Sequence, residues 1–586
     1  MATDPHRVVL GTLADLQDRG CLTGKAGSQP VCVFWHEGRP FALDDRCPHM
    51  GFPLHRGTVE NGLVTCHWHH ARFDLASGGT LNPFADDVRT YPVELDGDRV
   101  TIVVEPERPD PDHLRARLVE GLEQGLTLVS AKAVLGLLEA GVPAAEVVRV
   151  GVAFGTTYRA AGWGSGLTVL VAMANVLPHL DAADRPLALT HGMAFVSRDT
   201  RGRPPRFPLT PLGNGAATRV APERLSAWYR RFIETRAADP AERSLLTAIA
   251  AGRPLTEIEG TMTAAATDHV FLDGGHTIDF TNKAFEALGV LGPDQARTVL
   301  PTLVAQTAAA SRSEESGRWR HPFDLLGLID DATRRLPALL ADGAAGRAAG
   351  AWDGVTGLAA DLLGDDPASV CRALCDAVAA GATFEQLGRA VAYAAALRLT
   401  RFHTQNDHGD WDVVHHAFTS ANAVHQSLVR APTPELLRGV FHNAMKVFLD
   451  RFLNVPAARH PERVAADLGV TGDLAALQRC WDEQGRVAAL GQVAPGGGAR
   501  LVDPARLVAA LGAALLAEDA QFHWFQTYEA AVRQAAAWPA GSEEAALILV
   551  GCARFLAAHS PTRRELAKVV ATATRLRRGD ALYEDE

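Results

Sequence analysis

At 586 residues the chain is too long for one hydrophobic core, and its length implies three or four compact units. A 47% hydrophobic and 21% charged composition is that of a globular chain rather than a disordered one, and an apolar share weighted toward alanine favours helices. The formal charge of −11 is spread along the chain without a basic stripe, which argues against a nucleic-acid partner.

Met1–Leu10 has no apolar run of signal-peptide length and no twin arginine, so a cytoplasmic location is expected. The most apolar stretch, Gly166–Leu177, is far shorter than the roughly twenty residues a membrane span needs, and reads as a buried helix. In a reducing compartment the eight cysteines read as metal ligands and core thiols, Cys371 and Cys375 among the latter.

From Arg7 to about Glu105 the pattern is short strands and turns. Val31–Trp35, Thr58–Val59, Leu63–Thr65, Tyr91–Leu95 and Val100–Val104 are the strand candidates, with turns at Glu37-Gly38, Asn61-Gly62 and Asp96–Asp98. A small all-β domain over 1–105 is expected. Three prolines between Glu105 and Asp112 mark 106–112 as a linker, with a new domain beginning near His113.

Beyond it, apolar residues recur at helical spacing between Gly and Pro stops, which predicts a large all-α region. This region carries a faint internal duplication. Asn175 pairs with Asn422 and His276 with His523 at one offset of 247 residues, and His191 pairs with His442 at 251. The expected organisation is two helical halves, 113–365 and 366–586, whose cleft is the natural place for a site.

Within the β region, Cys47-Pro-His49 is followed after 16 residues by Cys66-His-Trp-His69. Two thiolates on one iron and two neutral imidazoles on the other make a 2Fe-2S cluster of raised potential. Two Cys and two His could also bind zinc, although the Cys-x-His spacing is not that of a zinc finger. Gly51, Gly57 and Ser77–Gly79 supply the tight turns that two facing ligand loops need.

In motif, spacing and strand pattern, residues 7–105 resemble the Rieske family. The resemblance implies that Cys47, His49, Cys66 and His69 hold the cluster and that the domain transfers single electrons. High-potential members resemble one another in a disulfide between the loops and in Ser and Tyr hydroxyls bonded to the cluster. Phe52 and Trp68 stand here at the cysteine positions, Ala71 and Phe73 at the hydroxyl positions. The domain therefore resembles the ferredoxin or oxygenase type of lower potential. His67 and His70 flank the ligands and are read as solvent-facing.

In the helical region, Arg401–His425 packs five histidines and three aspartates into about 25 residues. On a helix, His408, Asp412 and either His415 or His416 share a face, as metal ligands or acid–base partners would. His403 lies just before them. The histidines paired by the duplication, His191, His276, His442 and His523, are further candidates to converge from separate helices. Rieske oxygenases resemble this order of domains, but their larger domain is α+β with an Asp-x-x-His-x-x-x-x-His segment. Asp412-x-x-His415 starts such a segment, and Ser420 breaks it.

The leading expectation is an oxygenase-like oxidoreductase. Its 2Fe-2S cluster would feed a second iron centre in the helical region, non-haem mono- or dinuclear or haem, with ligands among His191, His276, His403, His415, His416, His442 and His523. Asp412 and His408 would serve proton delivery. The partners would be a small organic substrate, O2, a separate NAD(P)H-dependent reductase or ferredoxin, and further copies of the chain as a homo-oligomer. No G-x-G-x-x-G follows a strand, so nicotinamide binding on this chain is not expected. The alternatives are an electron-transfer or redox-sensing protein whose helical region docks a partner, and an enzyme working at a metal-free helical cleft.

Overall fold

The computed structural model describes residues 6–105, 110–158, 162–403, 406–458, 474–483, 504–580 and 582. The chain divides into two compact units, one of residues 1–150 with 565–586, the other of residues 151–564.

The described residues of the first unit form ten strands. β1 (His6–Thr12), β10 (Arg99–Val104) and β9 (Val93–Asp96) form one antiparallel sheet, and β2 (Cys21–Ala26), β3 (Gln29–His36), β4 (Arg39–Asp44) and β8 (Thr90–Tyr91) a second. β5 (Thr58–Glu60), β6 (Leu63–Thr65) and β7 (Arg72–Asp74) form the third. Alternation along β3 divides the interior: Val31 and Val33 enter one core with Val100 and Ile102, while Cys32 and Phe34 enter a second with Val64 and Phe73. That second core also holds Cys47 and Cys66. The turns at Glu37-Gly38 and Asn61-Gly62 have left-handed φ at both residues, 47° and 79°, 51° and 78°, which suits the strand twist of tight hairpins.

Two details differ from the sequence expectation. The run Tyr91–Leu95 is cut at Pro92, which has no N–H for a ladder, so β8 and β9 belong to different sheets. A short helix α1 (Leu13–Arg19) interrupts the strands, capped by the Thr12 hydroxyl accepting from Asp15 N–H and ended at Gly20 with φ 72°.

Residues 106–109 of the expected linker lie outside the described residues. The helical part begins at Pro111 rather than near His113, because Asp110 caps the helix and proline suits its first turn. α2 (Pro111–Gln124) and α3 (Thr127–Glu139) pack on each other, the C-terminal helix Glu565–Arg578 packs on α3, and all three fall in the same unit as the strands.

The second unit is helical, and among the described residues beyond 110 there is no strand. Its centre is a ring of four helices: α4 (Ser165–Val176), α5 (His276–Leu291), α6 (His408–Arg430) and α7 (Phe522–Ala536). α4 and α6 each pack on both α5 and α7. The apolar stretch at 166–177 is α4, buried along most of its length. Among the described residues no helix is long and apolar enough to cross a membrane.

Candidate metal centres

The first ligand pair lies beyond β4 and the second between β6 and β7, on turns built alike. Cys47 N–H donates to Phe52 O at 2.8 Å and Cys47 O accepts from Gly51 N–H at 2.7 Å. Cys66 N–H donates to Ala71 O at 2.8 Å and Cys66 O accepts from His70 N–H at 3.0 Å. The fourth residue after each cysteine has left-handed φ, 82° at Gly51 and 60° at His70. These matched turns direct Cys47 and Cys66 into the core and bring the His49 and His69 rings within 4.7 Å, edge to face.

The donor set fits a Rieske cluster. Cys47 and Cys66 are both buried in one core, where two thiolate ligands of a cluster would be shielded from water. Burial, then the neighbouring His69 and Lys132, lowers His49 to about 4 and keeps it neutral. His49 Nδ1 is buried without a hydrogen-bond partner among the described residues, as a ligand nitrogen would be. Phe52 and Trp68 face each other across the two loops at 6.2 Å, and Ala71 and Phe73 are fully buried. His67, His69 and His70 are exposed, and His67 Nε2 bonds Thr58 Oγ1 at 2.7 Å.

In the second unit three of the expected histidines meet. One ring nitrogen from each of His276, His416 and His523 lies within 4.8 Å of the others. His276 opens α5, His523 lies in the first turn of α7, and His416 comes from α6. The approach depends on Gly274-Gly275. A Cβ added to Gly275, whose φ is 100°, would stand 2.9 Å from Ser420 Cβ and 3.0 Å from the Phe271 ring, and one on Gly274 would stand 3.3 Å from His416 Nδ1. His416 Nε2 and His523 Nε2 are 2.6 Å apart, and Asp412 Oδ1 lies 3.2 Å from His523 Nδ1. Asp412 and His416 are one turn apart on α6. Phe280 and Phe522 flank His276 at 5.2 and 5.7 Å. Burial and the companion histidines lower His276 to about 4 and His416 to about 2, which keeps both neutral and able to donate a lone pair to a metal.

The other candidates are placed elsewhere. His191 Nε2 lies 2.9 Å from Leu516 O, and His415 Nδ1 bonds Thr527 Oγ1 at 2.8 Å and packs on Phe555. His442 is buried and lowered to about 3 by burial and Arg438. The His403 backbone N–H donates to Asn454 Oδ1 at 3.2 Å. The His408 side chain lies outside the described residues.

Sequence reasoning missed a charged network along the same helices. Gln526 donates to Asp279, and these residues lie three beyond His523 and His276. Further along, Lys283 Nζ sits 2.8 Å from Glu286 and 2.6 Å from Glu529, and Asn175 Nδ2 donates to both carboxylates at 2.7 and 3.0 Å. Arg430 Nη2 pairs with Glu259 at 2.6 Å and donates to Asn282 Oδ1 at 2.7 Å. The available signal was the recurrence of His276, Asp279, Asn282, Lys283 and Glu286 at spacings of one to four along a single helical segment.

The β domain defines an iron–sulfur electron-transfer module. The family model for the Rieske [2Fe-2S] domain matches residues 6–92, and no family model matches the helical remainder. A 3-phenylpropionate/cinnamic acid dioxygenase ferredoxin subunit of Photorhabdus laumondii is 36% identical over 100 residues, 17% of this chain and 93% of that protein. The ferredoxin component of an alkene monooxygenase system of Xanthobacter autotrophicus is 33% identical over 93 residues, 16% of this chain and 76% of that protein. Among solved structures, a cyanobacterial plasma membrane Rieske protein from Synechocystis is 30% identical, with a TM-score of 0.15, over 16% of this chain and 97% of that one. Through its N-terminal domain the chain belongs to the Rieske family.

Proposed function

We propose that the chain is an oxygenase-like oxidoreductase in which the Rieske cluster supplies electrons, one at a time, to an iron held by His276, His416 and His523. The convergence of these three imidazoles from three helices carries the reading. Iron in such a site would supply oxygen activation at the expense of electrons delivered by a separate NAD(P)H-dependent reductase or ferredoxin.

The protein's own groups have distinct parts in this scheme. Asp412 accepts from His523 Nδ1–H, which leaves the Nε2 lone pair turned toward His416. Being partly exposed, Asp412 can also exchange protons with solvent. Phe280 and Phe522 make an apolar wall beside His276 that limits water and suits an organic substrate. α5 and α7, which bring His276 and His523 to one place, are read as copies of one duplicated unit.

Iron and inorganic sulfide counted per chain test this reading. Iron above two per chain with sulfide of two, the excess lost in His416→Ala while the cluster spectrum persists, is expected. Iron of two in both proteins contradicts it. Several of the relatives that match are ferredoxin components or subunits, which favours a second reading: an electron-transfer or redox-sensing protein whose helical unit docks an enzyme and binds no second metal.

A further inference from the structure

Lys132, in the middle of α3, is 6% exposed. Its ammonium donates to the carbonyl oxygen of Pro48, the residue between the ligands Cys47 and His49, and to Asp86 Oδ2 at 2.9 Å. Asp86 also accepts from Arg117 Nε of α2 at 3.1 Å, and Arg117 is further engaged by Glu120 and by the carbonyls of Pro83 and Ala85. Of these charged groups it is Lys132 that bonds the backbone of the ligand loop. α2 and α3 lie beyond the residues that the family model matches. The C-terminal helix closes on the same loop, where a Cβ on Gly51 would stand 3.3 Å from Leu576.

Reduction of the cluster adds one electron and takes up no heavy atom, so it makes the ligand loop's surroundings one charge more negative. A buried cation fixed on that loop interacts with the added charge in a medium of low effective dielectric, where it is weakly screened. We propose that Lys132 raises the reduction potential of the Rieske cluster, and that Asp86 opposes it. The appended helices thereby offset part of what the domain forgoes by having Ala71 and Phe73 where hydroxyls would bond the cluster.

The test is a redox titration of the full-length, cluster-loaded protein with a chemical reductant, followed by electron paramagnetic resonance of the reduced cluster. Lys132→Met is expected to shift the potential negative, Lys132→Arg to restore it toward wild type, and Asp86→Asn to shift it positive, all with unchanged resonance positions and at both low and high salt. A loaded Lys132→Met protein with the wild-type potential overturns the proposal. If Lys132→Met fails to load the cluster, Asp86→Asn decides: a potential at or below wild type overturns the proposal, and a positive shift sustains it.

Discussion

His416 Nε2 and His523 Nε2 face each other at 2.6 Å, one on α6 and the other on α7. At that distance one imidazole donates a proton to the other, and a cation bound at the triad would have to replace that proton and spread the two nitrogens apart. Asp412 on His523 Nδ1 fixes the tautomer that leaves Nε2 free for a cation. Asp412→Asn is therefore expected to weaken binding of a divalent metal about 10–100-fold with the helical fold intact. Isothermal titration with ferrous or cobaltous ion checks this, and unchanged affinity would refute the role given to Asp412.

The buried group of Lys283, Glu286 and Glu529 ties α5 to α7 just beyond the histidines. Each side chain is 3% exposed or less. Removing one partner strands a charge in the interior, so Lys283→Met should destabilise the second unit by about 3 kcal/mol. Urea denaturation followed by circular dichroism reports it. A change below about 1 kcal/mol would show the network to be well solvated.

Much of this was legible in the sequence. The Cys-x-His and Cys-x-x-His spacing located the cluster because both ligand pairs are local, and each loop closes through its own backbone hydrogen bonds. The offset of 247 residues singled out His276 and His523, and the polar run at 401–425 singled out Asp412 and His416. What the sequence could not show was selection among neighbours. His415 and His416 are adjacent, and only the packing of α6 sends one to Thr527 and the other to the triad. Nor could it show that Lys132, 84 residues from Pro48, returns to the ligand loop. Such a contact is set by how α3 docks, which no local pattern encodes.

His70 carries the left-handed φ that glycine provides in the matching turn at Gly51. A β-branched residue at 60° is strained, so His70→Val should cost about 1–2 kcal/mol and speed cluster loss on heating, whereas His70→Gly should not. Bleaching of the visible cluster absorption on a temperature ramp distinguishes the two. Equal behaviour would mean that the turn tolerates the strain.

His442 gives the second unit a pH dependence. Burial first, then Arg438, lowers it from 6.5 to about 3, with His269 acting in the same direction and Glu314 and Asp268 opposing. Unfolded chains therefore take a proton that the folded protein refuses between those values. Stability should fall as pH drops from about 6.5 toward 3 and should not depend on this group above 6.5. In His442→Phe the slope of unfolding midpoint against pH should flatten over that window. An unaltered slope would assign the acid sensitivity to other groups.

The most direct measurement is the metal content of the full-length protein purified without added metal, with iron and sulfide counted per chain in wild type and in His276→Ala, His416→Ala and His523→Ala. Two sulfides throughout, iron above two in wild type, and iron of two in each variant with the Rieske spectrum preserved are expected. Iron of two in every protein would contradict an iron at the triad and leave the Rieske domain as the chain's only iron centre.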